Sequence, residues 1–138
     1  MDPAQALADL TEISSQIEAA VLFDADGAIQ GSTLADEGAA RRLAAAAGTL
    51  LEAATGFRTG SGDVTQLEAS THAGSVFAVC DGPRRIAAVT GSDPTAGLVF
   101  YDLKSCLRGA AAEDQAKPKR RRRAPAAEPV VEEDAGEA

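Results

Sequence analysis

Residues 19–32 read Ala-Ala-Val-Leu-Phe-Asp-Ala-Asp-Gly-Ala-Ile-Gln-Gly-Ser, and this stretch predicts a β-hairpin. The apolar run at 19–23 has the length of a strand, and residues 28–32 predict the strand that returns beside it. Gly27 tolerates the positive φ that a tight turn between the strands requires. An antiparallel pair of strands is therefore the first structural expectation.

Helices are predicted on both sides of this hairpin, at residues 3–17 and 36–55. In the first helix, Asp2 is a suitable N-cap before Pro3, and one apolar stripe is formed by Leu7, Leu10, Ile13 and Ile17. The second helix is rich in alanine, and either Asp36 or Ser32 could cap it. Its small side chains permit close approach on more than one face, which suits packing on its own sheet and on a second copy.

Three further strands are predicted at residues 63–70, 75–80 and 85–90, and a last helix at 94–108 closes at Gly109. Short turns join the strands, so the sheet is expected to be antiparallel. The predicted order is α-β-β-α-β-β-β-α, an α/β protein with helices packed on a five-stranded sheet.

The predicted core is thin, because aromatic residues make up 4% of the chain and tryptophan is absent. A small domain with few large side chains buries little surface alone. We therefore expect a homodimer, with interface candidates on the second helix and the third strand, namely Ala44, Gly48, Leu51, Val64 and Leu67.

Charge divides the chain into a predicted folded domain at 1–109 and a tail at 110–138. The domain carries 7 basic and 14 acidic side chains, whereas the tail has a basic run at 117–123 and an acidic block at 128–138. Blocks of like charge with proline and alanine predict a disordered segment. The basic run consists of Lys117, Lys119, Arg120, Arg121, Arg122 and Arg123, separated by Pro118.

Three uses of the basic run remain open. It could bind nucleic acid or an anionic membrane through counterion release. It could instead pair transiently with the acidic block, or simply aid solubility. No aromatic residue accompanies it, so base stacking is not expected.

No catalytic, cofactor or metal signature is present in the sequence. Cys80 and Cys106 are predicted to be buried, reduced thiols, and His72, the single histidine, is predicted in a loop. The glycines form neither a phosphate-binding loop nor a dinucleotide fingerprint, and Asp24 and Asp26 lack the later ligands of a calcium loop. A non-enzymatic protein without a cofactor, a metal or a small-molecule substrate is therefore expected.

The N-terminus is acidic rather than basic, and no apolar run approaches the length of a membrane span, so a cytoplasmic location is expected. Arg41 and Arg42 begin the long second helix and are predicted to be exposed. They are either a solvated face or a contact for an acidic partner surface.

Four features within residues 4–108 form a recognisable pattern. They are the apolar strand into Asp24-Ala25-Asp26-Gly27, the Ala/Leu-rich helix, the three closing strands and the segment Asp93-Pro94-Thr95-Ala96-Gly97-Leu98-Val99. Together they resemble the Roadblock (dynein-light-chain-related) family. This resemblance implies a profilin-like fold and a homodimer whose sheets join edge to edge, with the long second helices side by side. It also implies a scaffold or regulator of a small Ras-like GTPase, often encoded beside a sensor kinase in bacteria.

Two alternatives to a GTPase regulator stay open. In one, the basic tail binds nucleic acid or membrane and the domain only dimerises. In the other, the domain senses a ligand, although a predicted interior dominated by alanine offers few polar groups to hold one. The GTPase itself and the contact residues cannot be named from the sequence.

Overall fold

A computed structural model describes residues 2–57, 60 and 62–126, with the side chains of 112–126 outside that description. The predicted order of elements is confirmed. The elements are α1 (Pro3–Ile13), β1 (Ile17–Asp24), β2 (Ile29–Ser32), α2 (Glu37–Thr55), β3 (Gln66–Ser70), β4 (Ser75–Asp81), β5 (Arg84–Thr90) and α3 (Ala96–Ala126).

The first helix is shorter than predicted, because it ends at Ile13 rather than at residue 17. The backbone N–H of Ser14 donates to the Leu10 carbonyl at 2.9 Å, and the Ser14 hydroxyl accepts from the Gln16 N–H at 3.4 Å. Ile17 is already in β1, where it pairs with Thr90 of β5. Assigning Ile13 and Ile17 to the apolar stripe of this helix was wrong. Ile13 is 72% exposed, and Ile17 is buried as a residue of β1 rather than of the helix.

The hairpin that joins β1 and β2 is confirmed. Gly27 has φ 89° and donates its N–H to the Asp24 carbonyl at 2.9 Å. The Asp24 carboxylate accepts from the N–H groups of Asp26 and Ala28 at 2.9 and 3.0 Å. The Asp24 carboxylate therefore stabilises the turn by accepting two backbone N–H groups.

The five strands form one antiparallel sheet in the order β2-β1-β5-β4-β3. Strands β1, β5 and β4 are central and are the most buried, with β2 and β3 at the two edges. Helices α1 and α3 cover one face of the sheet and α2 covers the other, so the molecule has three layers.

The two faces of the sheet carry different cores. Beneath α1 and α3 lie the larger side chains, including Leu22, Phe77, Ile86 and Leu103. Beneath α2 the sheet presents Ala78 and Ala87 beside Val21 and Phe23. Three alanines and Leu51 of α2 pack against them. The small side chains allow α2 to lie close to the sheet.

Gly74 allows a close approach between the β3–β4 turn and the end of β5, and this yields a prediction. A Cβ at this position would collide with the carbonyl oxygen of Thr90. The Thr90 carbonyl is held in the backbone and cannot rotate away as the end of a side chain can. Gly74→Ala should therefore lower the free energy of unfolding by about 2 kcal/mol.

The control for Gly74→Ala is Gly48→Ala, since a Cβ at Gly48 in the middle of α2 has no atom within 4 Å. Alanine is a better helix former than glycine, so this change should raise the free energy of unfolding by about 1 kcal/mol. Urea denaturation of both variants measures the two effects. Equal effects of the two substitutions would contradict the predicted clash.

Helix α3 differs from the prediction at both ends. It begins at Ala96 rather than at residue 94, and Asp93 before it has a positive φ of 55°. It does not close at Gly109, because Ala110 is buried at 4% exposure in the core and the backbone stays helical to Ala126. The alanines at 110–112 favour continuation of the helix across the glycine.

The predicted boundary at residue 109 therefore cuts into the core at Ala110. The basic run at 117–123 lies on the continuing helical backbone, with its side chains outside the described part. Residues 127–138, which hold the whole acidic block, lie outside the described residues, so the separate disordered tail stays a prediction.

Candidate self-association and partner-docking surfaces

Helix α2 presents four residues to its own sheet, and they set the orientation of the whole helix. Ala40, Ala44, Ala47 and Leu51 are each at most 3% exposed. Asp36 caps the helix as predicted, its carboxylate accepting from the Gly38 N–H at 3.0 Å. With 100° between successive residues, the remaining positions are divided into two flanks and an outer face.

One flank of α2 carries an apolar seam, which is defined here as Ala39, Leu43, Ala46, Leu50, Ala53 and Phe57. The spacing alternates between four and three residues, as in the contact line of two packed helices. Leu50 is 37% exposed and Phe57, just beyond the helix, is 88% exposed. This seam is apolar surface that the single chain leaves partly uncovered.

The seam lies on the β3 side of the molecule. The opposite flank of α2, which includes Glu37 and Arg41, lines a groove beside β2 at the other edge of the sheet. Leu43 of the seam packs against the same cluster as Leu67 of β3. The seam and the β3 edge are therefore neighbours.

Strand β3 is an edge strand. It pairs with β4 from Gln66↔Val79 to Ser70↔Ser75, and among the described residues no strand pairs with its other side. An unpaired edge offers backbone donors and acceptors to another chain. Such an edge next to an apolar helix flank forms one composite surface of the kind that a second copy could cover.

The five interface residues predicted from the sequence are not brought together on one surface. Ala44 and Leu51 were assigned wrongly, because their stripe packs against the chain's own sheet at 3% exposure each. Gly48 lies seven residues after Arg41 on the β2 flank of α2, away from the seam. Val64 and Leu67 do lie at the β3 edge, where both pack partly buried against the α2 cluster.

The interface residues predicted from the sequence include no member of the apolar seam. The signal was present as the alternating spacing of four and three that begins at Ala39. Alanine is uninformative in such a stretch, because eight alanines of this helix occupy every face. Only the position of the sheet decides which alanines are internal.

Arg41 and Arg42 are both exposed, with side-chain exposures of 67% and 75%. Arg41 lies 4.0 Å from the Glu37 carboxylate and Arg42 lies 3.9 Å from that of Asp36. Exposed pairs at such distances contribute little to stability. The two guanidinium groups are therefore free to exchange these carboxylates for those of a partner.

The groove beside β2 has a volume of about 460 Å³. Its walls are the edge strand, from Ile29 to Ser32, and the first turns of α2, including Ala40 and Arg41. It is open, of mixed polarity and beside unpaired strand backbone. A segment of another protein could enter it more readily than a small molecule.

The two cysteines lack the properties of nucleophiles. Burial raises the pKa of Cys106 to about 11, and Asp9 adds to this effect. Its thiol donates to the Ala6 carbonyl at 3.4 Å and so ties α3 to α1. The pKa of Cys80 is also raised, mainly by burial, with Arg85 opposing and Asp63 adding to the shift.

The raised pKa of Cys106 predicts a loss of stability at alkaline pH. The thiol of the unfolded chain ionises near 9.0 and that of the folded chain near 11, so the folded state binds the proton more tightly. The stabilisation from this thiol is fully present below pH 9. As the pH rises to 11, the free energy of unfolding falls by about 2 kcal/mol. Urea denaturation from pH 8 to 11 measures this loss, and Cys106→Ala is the control. The same pH slope in both proteins would contradict the assignment.

No other reactive arrangement is found in the part of the chain that the structure describes. His72 is exposed in the β3–β4 turn, as predicted. Among the described residues, no three His, Cys, Asp or Glu side chains are grouped so as to hold a metal ion. None of the described helices combines the length and the apolar character required to cross a membrane.

Comparisons with known proteins agree on the fold. The family model for the Roadblock/LC7 domain matches residues 4–90. A crystal structure of a Roadblock/LC7 domain from Streptomyces avermitilis superposes with a TM-score of 0.74 at 21% identity, covering 83% of this chain and 99% of that one. No curated protein matches the chain.

Two structures of MglB are also similar. The Myxococcus xanthus protein has a TM-score of 0.62 at 14% identity, covering 81% of this chain and 84% of its own. The gliding protein MglB from Thermus thermophilus has a TM-score of 0.64 at 12% identity, covering 80% of this chain and 89% of its own. At these identities the likeness concerns the fold.

Proposed function

This chain belongs to the Roadblock/LC7 domain family, and from that premise we propose that it is a non-enzymatic homodimeric scaffold that regulates a small Ras-like GTPase. A sensor kinase encoded nearby would place it in a bacterial signalling system. The observation that carries the proposal is the apolar seam of α2 beside the unpaired β3 edge.

The homodimer forms by pairing β3 with β3 of a second copy. The two sheets become one, and the two α2 helices lie side by side with their seams in contact. Leu50 and Phe57 are then covered, and the edge backbone gains hydrogen-bond partners. This arrangement supplies the apolar burial that the single chain lacks.

The GTPase docks on the outer face of the paired α2 helices. Arg42 projects from that face, and Arg41 lies beside the β2 groove, so each copy presents two exposed cations. Acidic side chains on the GTPase would replace Glu37 and Asp36 as their partners. Electrostatic complementarity of this type raises the rate of association and favours one partner.

The test is capture of the GTPase encoded beside this chain, loaded with GTP or GDP, by the full-length protein. Arg41→Glu with Arg42→Glu should weaken binding about tenfold or more while the dimer mass is unchanged. Arg108→Glu, a single charge reversal on α3, should leave capture intact. Binding to neither nucleotide state would remove the GTPase from the proposal.

In the competing function, the basic run binds nucleic acid or membrane. Truncation after Ala111 distinguishes this function from GTPase binding by the folded domain. The truncated protein keeps the whole described core, including Ala110. If the domain carries the function, GTPase capture survives the truncation. If the tail carries it, capture is absent from both proteins and binding to a duplex oligonucleotide or an anionic vesicle is lost.

A further inference from the structure

Three large side chains are exposed at one end of the layer that α1 and α3 form, on the face of the sheet opposite to α2. They are Ile13, Leu98 and Tyr101, at 72%, 51% and 65% exposure. The Thr95 N–H donates to the Gln16 side-chain oxygen at 2.6 Å, which holds the end of α1 beside the start of α3. The three exposed side chains therefore form one surface, which is called here the α1/α3 patch.

A buried carboxylate lies beside this patch. Asp102 is 7% exposed, and it stands four residues after Leu98 and four before Cys106. Residues at that spacing share one side of a helix. This side of α3 faces α1, because the Cys106 thiol donates to the Ala6 carbonyl. Asp102 therefore lies in the groove between α1 and α3, one helical turn from the patch.

The Asp102 carboxylate has no hydrogen bond or ion pair with any residue that the structure describes. Its neighbour Asp9 in α1 is also acidic and lies close enough to Cys106 to add to the raised pKa of that thiol. Lys104 lies on the other flank of α3, where it lines a cavity with Asp81 of β4. A buried charge is costly unless a group of opposite charge pairs with it. Asp102 is thus a carboxylate in need of a cation.

Further carboxylates surround the patch. Glu12 lies in the last turn of α1, Asp93 precedes α3, and the side chain of Glu18 lies near Gly91; all three carboxylates are exposed. Residues 1–40, which include the whole of α1, contain no lysine or arginine. The rim of the patch is therefore acidic.

We propose that the α1/α3 patch binds a cationic, apolar segment of a partner protein, whose lysine or arginine enters the groove and pairs with Asp102. Apolar side chains of that segment cover Leu98 and Tyr101. Further cations on it meet the acidic rim, which selects against nucleic acid and anionic lipid.

The basic run of the same chain does not reach this site. It continues α3 as helical backbone, and its first residue lies 19 positions after Leu98. At about 1.5 Å per residue, the run is carried roughly 28 Å away from the patch. The occupant is therefore supplied by another molecule.

This inference goes beyond the proposed GTPase contact and does not depend on it. The site belongs to a single chain and lies on the opposite face of the sheet from α2. A GTPase on α2 and a second protein on the α1/α3 patch can therefore be bound at once. The protein then acts as an adaptor that joins the two.

Tyr101 provides a direct probe, because it is the single tyrosine and the chain has no tryptophan. The ligands are amphipathic helical peptides of alanine, leucine and arginine, with an arginine three or four residues from a leucine on either side. Titration into the full chain should give a saturating change in tyrosine emission. We expect dissociation constants of about 10–100 µM, because so small an interface is weak. The same peptides with glutamate in place of arginine should give no change.

Variants assign the site. Asp102→Asn should weaken peptide binding about thirtyfold, because it removes one partner of a buried charge pair. It should not lower the urea midpoint of the free chain, because it removes a charge that has no partner there. Leu98→Ser should weaken binding about tenfold. Glu52→Gln removes an exposed carboxylate from α2 and should change neither measurement. Circular dichroism checks the fold of each variant.

Four results would overturn the proposal. The first is that none of the arginine peptides binds, and the second is that Asp102→Asn weakens binding no more than Glu52→Gln does, so that binding follows net charge alone. The third is a lower urea midpoint for Asp102→Asn, which would assign the carboxylate to a contact within the chain. The fourth is a change in tyrosine emission with protein concentration alone that Leu98→Ser abolishes, which would make a second copy the occupant.

Peptide binding and GTPase capture are measured separately. Peptide binding that survives a failure of GTPase capture would support the patch and remove only the GTPase. Capture that succeeds while the arginine peptides do not bind would remove the patch and leave the proposed function in place. The failures of the two proposals are therefore distinguishable.

Discussion

Leu50→Arg is expected to convert the proposed homodimer into a folded monomer. Leu50 lies at the middle of the α2 seam and is 37% exposed in the single chain. Within the dimer it would face the seam of the second copy, so an arginine there would place two buried like charges close together about the two-fold axis. We expect the dissociation constant to rise about a hundredfold, or about 3 kcal/mol.

Thr49→Arg is the matched control for this change. It introduces the same side chain one position earlier on α2, but on the outer face, where Thr49 is exposed. The mass measured by light scattering should fall for the Leu50 variant only, with unchanged circular dichroism. A dimer that survives Leu50→Arg would show that α2 does not form the interface.

Phe77→Ala is expected to cause the largest loss of stability of any single truncation in this protein. Phe77 is fully buried in β4, and its ring meets that of Phe100 edge to face at a centroid distance of 5.0 Å. In a core with so few aromatic rings, neighbouring alanines cannot move to fill the space. The free energy of unfolding should fall by about 4 kcal/mol, a large part of the 5–15 kcal/mol that is usual for a domain.

Tyr101→Ala removes a ring of similar size from a side chain that is 65% exposed. It should change the free energy of unfolding by less than about 1 kcal/mol. Urea denaturation at about 1 µM protein, where weak association is absent, compares the two variants. Similar losses for both would mean that the interior beneath α3 is loosely packed.

The sheet could be predicted from the sequence because its signals are local. The apolar run at 19–23 and the turn at Gly27 each specify their structure within a few residues. Element ends were harder to predict where tertiary contacts decide them. Ile17 continues the helical spacing of α1, but it lies in β1 because it pairs with β5. Helix α3 continues past Gly109 because Ala110 packs in the core.

The candidate surfaces were predictable in kind but not in detail. Arg41 and Arg42 are exposed as expected, whereas the role of α2 in a dimer stays a prediction. The choice of Ala44 and Leu51 failed because alanine has no preference between a sheet and a second helix.

The shape of β2 limits how far these molecules can assemble. Two-fold pairing at β3 would leave β2 as the only free strand at each end of the joined sheet. It has four residues, and its register against β1 shifts between Leu22 and Phe23. So short and irregular a strand is a poor template for adding further chains, so growth by strand addition stops at two copies and fibre formation is disfavoured.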